Sequence, residues 1–204
     1  MIAEAIILVL ALAIAVLRSL PGPVFFPLRA LAIVYADLFR GIPTILVIYI
    51  LGFGAPALQL SGVPTSTVFW GIVALVLVYS AYVAEVYRAG IESVHPSQEA
   101  AARSLGLSRW QGLRFVILPQ AVRRVIPPLL NDFIGLQKDS ALVALLGTVE
   151  AFRQSQINVA ATFNYTPYLA TALLFVAITI PLARFTDWLV ARDRRRQQAG
   201  RAAA

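Results

Sequence analysis

Gln137-Lys138-Asp139-Ser140 stands inside Ile126–Leu146, a stretch otherwise apolar enough to cross a bilayer, and Asn131 and Asp132 precede it there. A cation and an anion at this depth can line a transport path, relay a proton, or neutralise charges on neighbouring helices. Each charge near mid-membrane costs about 2.5–3.5 kcal/mol on insertion scales, so the group cannot face lipid. On a 3.6-residue period Asn131, Gly135 and Lys138 share one face, and Asp132 and Asp139 a neighbouring one. This helix must line a cavity or an interface between subunits. Ser80 and Tyr82, late in another apolar stretch, are the other polar groups placed to join a path. Glu85 reads more blandly, as half of a local ion pair with Arg88 three residues on.

Other chemistries find little support. The chain has no Cys, and His95 is its only His, so neither a thiolate site nor a histidine-rich metal cluster can form. Ser80 or Ser140 with His95 could be imagined as nucleophile and base. His95, however, sits beside Pro96 in a polar segment away from both serines, which argues against an intramembrane enzyme. The G-x-x-x-x-G-K-[ST] phosphate cradle is absent, and the only Lys follows Gln in an apolar span. If ATP drives this protein, another polypeptide must bind it.

The elements that position these residues follow from composition. Of 204 residues, 59% are hydrophobic and 13% charged, where a water-soluble domain has about a quarter charged. The pattern predicts an all-α integral membrane protein with about five spans. They cover about 2–17, 42–60, 68–87, 126–146 and 167–190. Glu4 stands where a signal peptide would carry basic residues, which favours a first span over a cleaved leader. Residues 19–41, broken by Pro21, Gly22, Pro23 and Pro27, read as an interfacial connector, and 148–166 as a polar, partly amphipathic loop. Residues 1–190 form the transmembrane domain and 191–204 a basic tail.

Between the third and fourth spans, residues 88–124 change character. Glu92, Glu99, Arg103, Arg109, Arg114, Arg123 and Arg124 are spread among Ala, Leu and Gly. Short water-facing helices are expected: Pro96 starts one, Gly106 ends it, Ser108 caps a second, and Pro119 marks the next break. A net charge of +7 could suggest nucleic acid, but the basic residues flank the spans as orientation signals do. By the positive-inside rule the connector, the 88–124 segment and the tail are cytoplasmic, with the N-terminus outside and the C-terminus inside.

Ser97-Gln98-Glu99-Ala100-Ala101-Ala102-Arg103-Ser104-Leu105-Gly106-Leu107-Ser108, followed by Val116-Ile117-Leu118-Pro119-Gln120-Ala121, resembles the EAA loop of ABC importer permeases. Phe39-Arg40-Gly41-Ile42-Pro43, the run from Tyr82 to Ile91, and the run from Leu136 to Val143 are similar to the polar amino-acid uptake branch. The likeness extends over about residues 30–190.

It implies a coupling helix that enters a groove on an ATPase subunit. Glu99, Ala100, Ala101, Arg103, Gly106 and Pro119 would form the docking segment. The three alanines, Ala100 to Ala102, would give one face close approach to the partner. Ser80, Tyr82, Asn131, Gln137, Lys138, Asp139 and Ser140 are the expected pathway residues. The resemblance further implies two ATP-binding subunits that use ATP and Mg, and a second permease subunit, identical or homologous. It also implies an extracytoplasmic solute-binding protein, a place in the bacterial inner membrane, and no cofactor on this chain. An ion-coupled transporter or channel working through Lys138 and Asp139 is the competing reading, and it has no use for the 88–124 helices. Two departures stand out. Counting back from Gly106, Ala100 occupies the family's Glu position and Glu99 falls one residue earlier, about 100° around the helix. Family members also carry more residues before the first span.

Overall fold

The computed structural model describes residues 2–20 and 22–202, which are helices and connecting turns with no strand among them. Pro21 of the connector, the last two residues of the tail, and the side chains of Arg194, Arg196 and Arg201 lie outside the described part.

Helix α5 (Thr67–Glu92) is the pillar of the bundle. Ser66 caps it by accepting from the Phe69 amide at 3.4 Å, and it runs on past Tyr87 to Glu92. It packs against α1 (Ile2–Arg18), α2 (Phe26–Gly41), α3 (Thr44–Tyr49) and α8 (Leu118–Asp139). In its most apolar window 56% of residues are buried, against 6% for that of α10 (Thr166–Ala202), which offers most of its length to the surroundings. Lipid is as apolar as leucine, so small residues that let backbones approach are what bind such helices together. Ala11 of α1 and Ala74, Ala81 and Ala84 of α5 are fully buried accordingly. Gly90 lets α5 cross α8 where a Cβ would collide with Val125, and a Cβ on Gly71 would stand 2.7 Å from Val143.

Thr67–Glu92 and Thr166–Asp193 are each long and apolar enough to cross a membrane. The pair 26–41 and 44–57 meets the same test only as one path, bent by 103°. The connector is therefore more ordered than its prolines suggest, because Pro27 falls in the first turn of α2, where its missing N–H costs nothing. The bend comes at Ile42, extended at ψ 131° because Pro43 bars the residue before it from helical geometry.

Pro127, Pro128 and Pro181 lie inside helices without ending them, and two further prolines are accommodated by a visible device. Pro56, in the short helix α4 (Ala55–Ala57), and Pro119, in α8, each follow a π-turn, at Ile50–Gly54 and Leu113–Ile117 respectively. A widened turn moves the carbonyl that the ring would strike and needs no donor from proline. The expected break at Pro119 is thus absent, and helix continues from α7 (Arg109–Gly112) through the π-turn into α8. The expected fourth span is the second half of this longer helix, tightened to 3₁₀ over Ser140–Leu146 and ended by Gly147 at φ 81°. The 148–166 segment likewise holds a helix, α9 (Ala151–Thr162), started by Glu150, which accepts from the Phe152 and Arg153 amides at 2.8 and 2.7 Å.

Glu85 does more than pair locally. Its carboxylate accepts from Arg88 on its own helix, from Arg18 at the end of α1 at 2.7 Å, and lies 3.6 Å from Arg40 at the end of α2. Arg88 also bonds Glu92. One anion therefore draws three helix ends together. Glu85→Ala would leave the Arg18 side chain, only 12% exposed, without its anion. We expect a loss of about 2 kcal/mol, reduced from the buried-pair value because Glu85 retains some solvent contact. Thermal unfolding in mild detergent measures it, and an unchanged midpoint would show that the node is not structural.

Candidate functional site

The 88–124 segment folds as a helical hairpin whose ends are held by local signals. Helix α6 (Pro96–Ser104) starts on His95, whose Nδ1 accepts from the Ser97 amide at 3.2 Å. It stops at Gly106 (φ 81°), where the Gly106 amide bonds the Arg103 carbonyl at 3.0 Å and the Leu107 amide the Ala102 carbonyl at 3.1 Å. This is a Schellman close, and it needs the left-handed conformation that glycine supplies. Ser108 and Gln111 then form a reciprocal capping box that opens α7.

The hairpin has an inner and an outer side. Ala102 is 3% exposed and packs against Gly112, where an added Cβ would meet it at 3.4 Å. It belongs to the hairpin's interior, so the three alanines do not share one docking face. Ala100, Ala101, Glu99, Arg103 and Gly106 are exposed. Leu105 and Trp110, 82% and 67% exposed, join them on the outside. Large apolar residues flanking a helix-ending glycine in a charged segment are the sequence signal for these two. Pro119 is exposed but lies in α8, beyond the hairpin turn.

Polar ties fix the hairpin to the bundle. Gln120 of α8 donates to Gln98 of α6 at 3.1 Å. Arg124 bonds the Ser93 carbonyl and, at 3.1 Å, its hydroxyl, closing the end of α5 onto α8.

In the polar centre Asn131 and Lys138 separate from Asp132 and Asp139, but Gly135, expected beside Asn131 and Lys138, lies beneath Tyr79. Asn131 and Lys138 are exposed, while Asp132 and Asp139 are half-buried. Asp139 accepts from the Tyr79 hydroxyl of α5 at 3.0 Å, and Tyr79 crosses over Gly135, where a Cβ would lie 3.1 Å from its oxygen. Gln137 accepts from Thr179 of α10 at 3.2 Å, and Ser140 donates to the Gln137 carbonyl at 2.6 Å. One Asp132 carboxylate oxygen is buried with no partner among the described residues. Lys138 forms no ion pair among them and lines an open groove of about 560 Å³ with Phe152, Tyr168, Thr171 and Phe175.

Ser80 is elsewhere. Fully buried, it bonds Tyr35 of α2 at 2.7 Å and the Leu77 carbonyl at 3.0 Å, which ties α2 to α5. Tyr82 is 37% exposed, and its hydroxyl reaches the Arg40 carbonyl at 3.5 Å. His95 is bonded within its own turn to Ser97, so neither Ser80 nor Ser140 has it as a base.

Residues 7–195 match the family model described as the binding-protein-dependent transport system inner membrane component. The chain belongs to this family of ABC importer permeases. It is 37% identical over 187 residues to the probable glutamine ABC transporter permease GlnM of Bacillus subtilis, covering 90% of this chain and 83% of that one. The probable amino-acid ABC transporter permease YckA, also from Bacillus subtilis, is 39% identical over 163 residues, covering 79% and 71%. Among solved structures, an amino acid ABC transporter crystallised with histidines superposes with a TM-score of 0.83 at 32% identity, over 93% of this chain and 86% of that one. The MetNI methionine ABC transporter, at 19% identity and a TM-score of 0.71, covering 94% and 89%, shares the fold.

In this permease Gly106→Val would force a branched side chain into the left-handed region, at about 1–2 kcal/mol. The close of α6 should loosen and expose the bond after Arg103. Limited trypsinolysis of the purified chain is expected to cut there several-fold faster than in the wild type, and an equal rate would mean that the turn does not depend on glycine.

Proposed function

We propose that this permease couples ATP hydrolysis on two separate subunits, which use ATP and Mg, to import of polar amino acids. The observation that carries the proposal is the hairpin. It presents Ala100 and Ala101 on an outer edge with little side-chain bulk, flanked by the apolar Leu105 and Trp110, while its inner side is packed and tied to both α5 and α8. A surface that approaches closely and a rigid base are what a lever between two proteins requires. Movement at α6 passes through the Gln98–Gln120 contact and through the Arg124–Ser93 contact into the two helices that carry Tyr79 and Asp139.

On this reading the hairpin and the basic tail face the cytoplasm and the N-terminus lies outside. The 61–67 turn and the α9 region meet an extracytoplasmic solute-binding protein, and a second permease subunit completes the pathway. This chain performs no chemistry of its own. Ala100, Ala101, Arg103 and Gly106 act at the ATPase contact, with Glu99 at its rim and Pro119 supporting it from α8. Lys138 and Asn131 face the solute, whereas Asp139, Gln137 and Ser140 hold α8 in register, and Ser80 and Tyr82 hold α2. A glutamine- or histidine-type solute is favoured by the names of the relatives and by a lone cation able to meet an α-carboxylate.

The test is a paired assay in vesicles that contain the permease, its ATPase subunits and the binding protein. Ala101→Trp is expected to lower uptake at least tenfold while the chain still inserts and ATP is still hydrolysed. Lys138→Ala should lower uptake without breaking the link between solute and ATPase stimulation. Normal uptake with Ala101→Trp would remove the docking role, and unchanged uptake with Lys138→Ala would return that residue to bundle packing. Transport by the chain without any ATPase would favour the ion-coupled alternative.

A further inference from the structure

A groove of about 410 Å³ runs between the last turns of α1 and α5 and the first half of α8, along Leu12, Val16, Tyr87, Val122, Ile126 and Leu129. Its lining is almost free of polar groups, and the hydroxyl of Ser19 at its end is turned back to the Ala15 carbonyl at 2.9 Å. Ile126 also borders a second, smaller pocket of about 200 Å³ between α8 and α10, lined by Arg123, Pro127, Leu189, Arg192 and Asp193. Arg123 makes no hydrogen bond or ion pair among the described residues. Arg192 lies over the Trp188 ring, 5.2 Å from its centroid, the placement of an aromatic–cation pair at a membrane–water boundary. Asp193 is itself engaged, and the two guanidinium groups leave the pocket with a net positive charge.

We propose that these two spaces together hold one anionic phospholipid, with an acyl chain in the α1–α5–α8 groove and its phosphate between Arg123 and Arg192. The groove offers almost no hydrogen-bonding group to a peptide backbone, which would then bury unpaired amides, whereas an acyl chain needs none. The charge lies in the adjoining pocket and none lines the groove itself, as the amphipathic character of a lipid requires. Arg123 and Arg192 belong to the 88–124 segment and the basic C-terminal stretch, the side to which the positive-inside rule assigns the anionic leaflet. The site borders the Glu85 node and the start of α8, so an occupant would brace both roots of the hairpin. The proposal rests on the membrane fold and not on the coupling role.

The experiment uses the full chain purified in neutral detergent. Phosphatidylglycerol and phosphatidylcholine with identical acyl chains are added at equal concentration, and retained lipid is counted by native mass spectrometry. We expect roughly a tenfold preference for phosphatidylglycerol in the wild type, as two surface arginines imply. That preference should fall to near unity in Arg123→Gln/Arg192→Gln and persist in Arg123→Lys/Arg192→Lys. Val122→Trp, which fills the groove and leaves both arginines, should reduce retention of both lipids several-fold. Equal retention of the two lipids by the wild type, or a preference that survives the glutamine pair, would overturn the site. So would displacement of the lipid by an equal concentration of glycerol 3-phosphate, which would mark a plain anion pocket. If the glutamine pair does not fold, the Val122→Trp chain decides, and undiminished phosphatidylglycerol there rejects the proposal.

Discussion

The Glu85 carboxylate is the interaction on which the arrangement of this permease depends. Apolar helices in lipid gain little from one another beyond packing, so small residues permit contact without fixing which ends meet. Glu85 supplies that fixity. Arg18, Arg40 and Arg88 come from three different helices and converge on one anion, and the bent path from α2 into α3 is pinned where it turns. Two turns further along α5, Glu92 is tied through Arg88, and the chain then leaves the bundle for the hairpin. The hairpin therefore grows from an anchored root.

Its other root is α8, and there the same economy of polar groups recurs. Asp139 takes the Tyr79 hydroxyl and Gln137 takes Thr179, so α8 is keyed to α5 on one side and to α10 on the other. Asn131 and Lys138, on the remaining face, stay open. One helix thus carries both polar groups that lock the bundle and polar groups left exposed, separated by its 3.6-residue period.

Much of this was legible in the sequence wherever the signal is local. Pro96, Gly106 and Ser108 bounded the hairpin correctly because caps act over three or four residues. The separation of Asn131 and Lys138 from Asp132 and Asp139 followed from spacing, whereas the covering of Gly135 by Tyr79 did not. What could not be read was long-range. Arg18 and Glu85 are 67 positions apart, so only the nearby Arg88 suggested itself as a partner. The inward turn of Ala102 depends on Gly112 packing beneath it, which the alanine run does not encode. Pro119 and the polar 148–166 segment misled for a different reason. A π-turn neutralises the proline, and Glu150 starts a helix in a composition that resembles loop.

The contact between the hairpin and an ATP-hydrolysing subunit is the claim most directly open to measurement. The chain has no cysteine, so Ala101→Cys introduces a unique thiol at the outer edge of α6. Modified with a short photoactivatable cross-linker in membranes that contain the assembled transporter, it should join this chain to the ATPase subunit, with a yield that changes when ATP is bound. Cross-links only to lipid or to the binding protein, or none in a complex that still transports, would contradict the docking role.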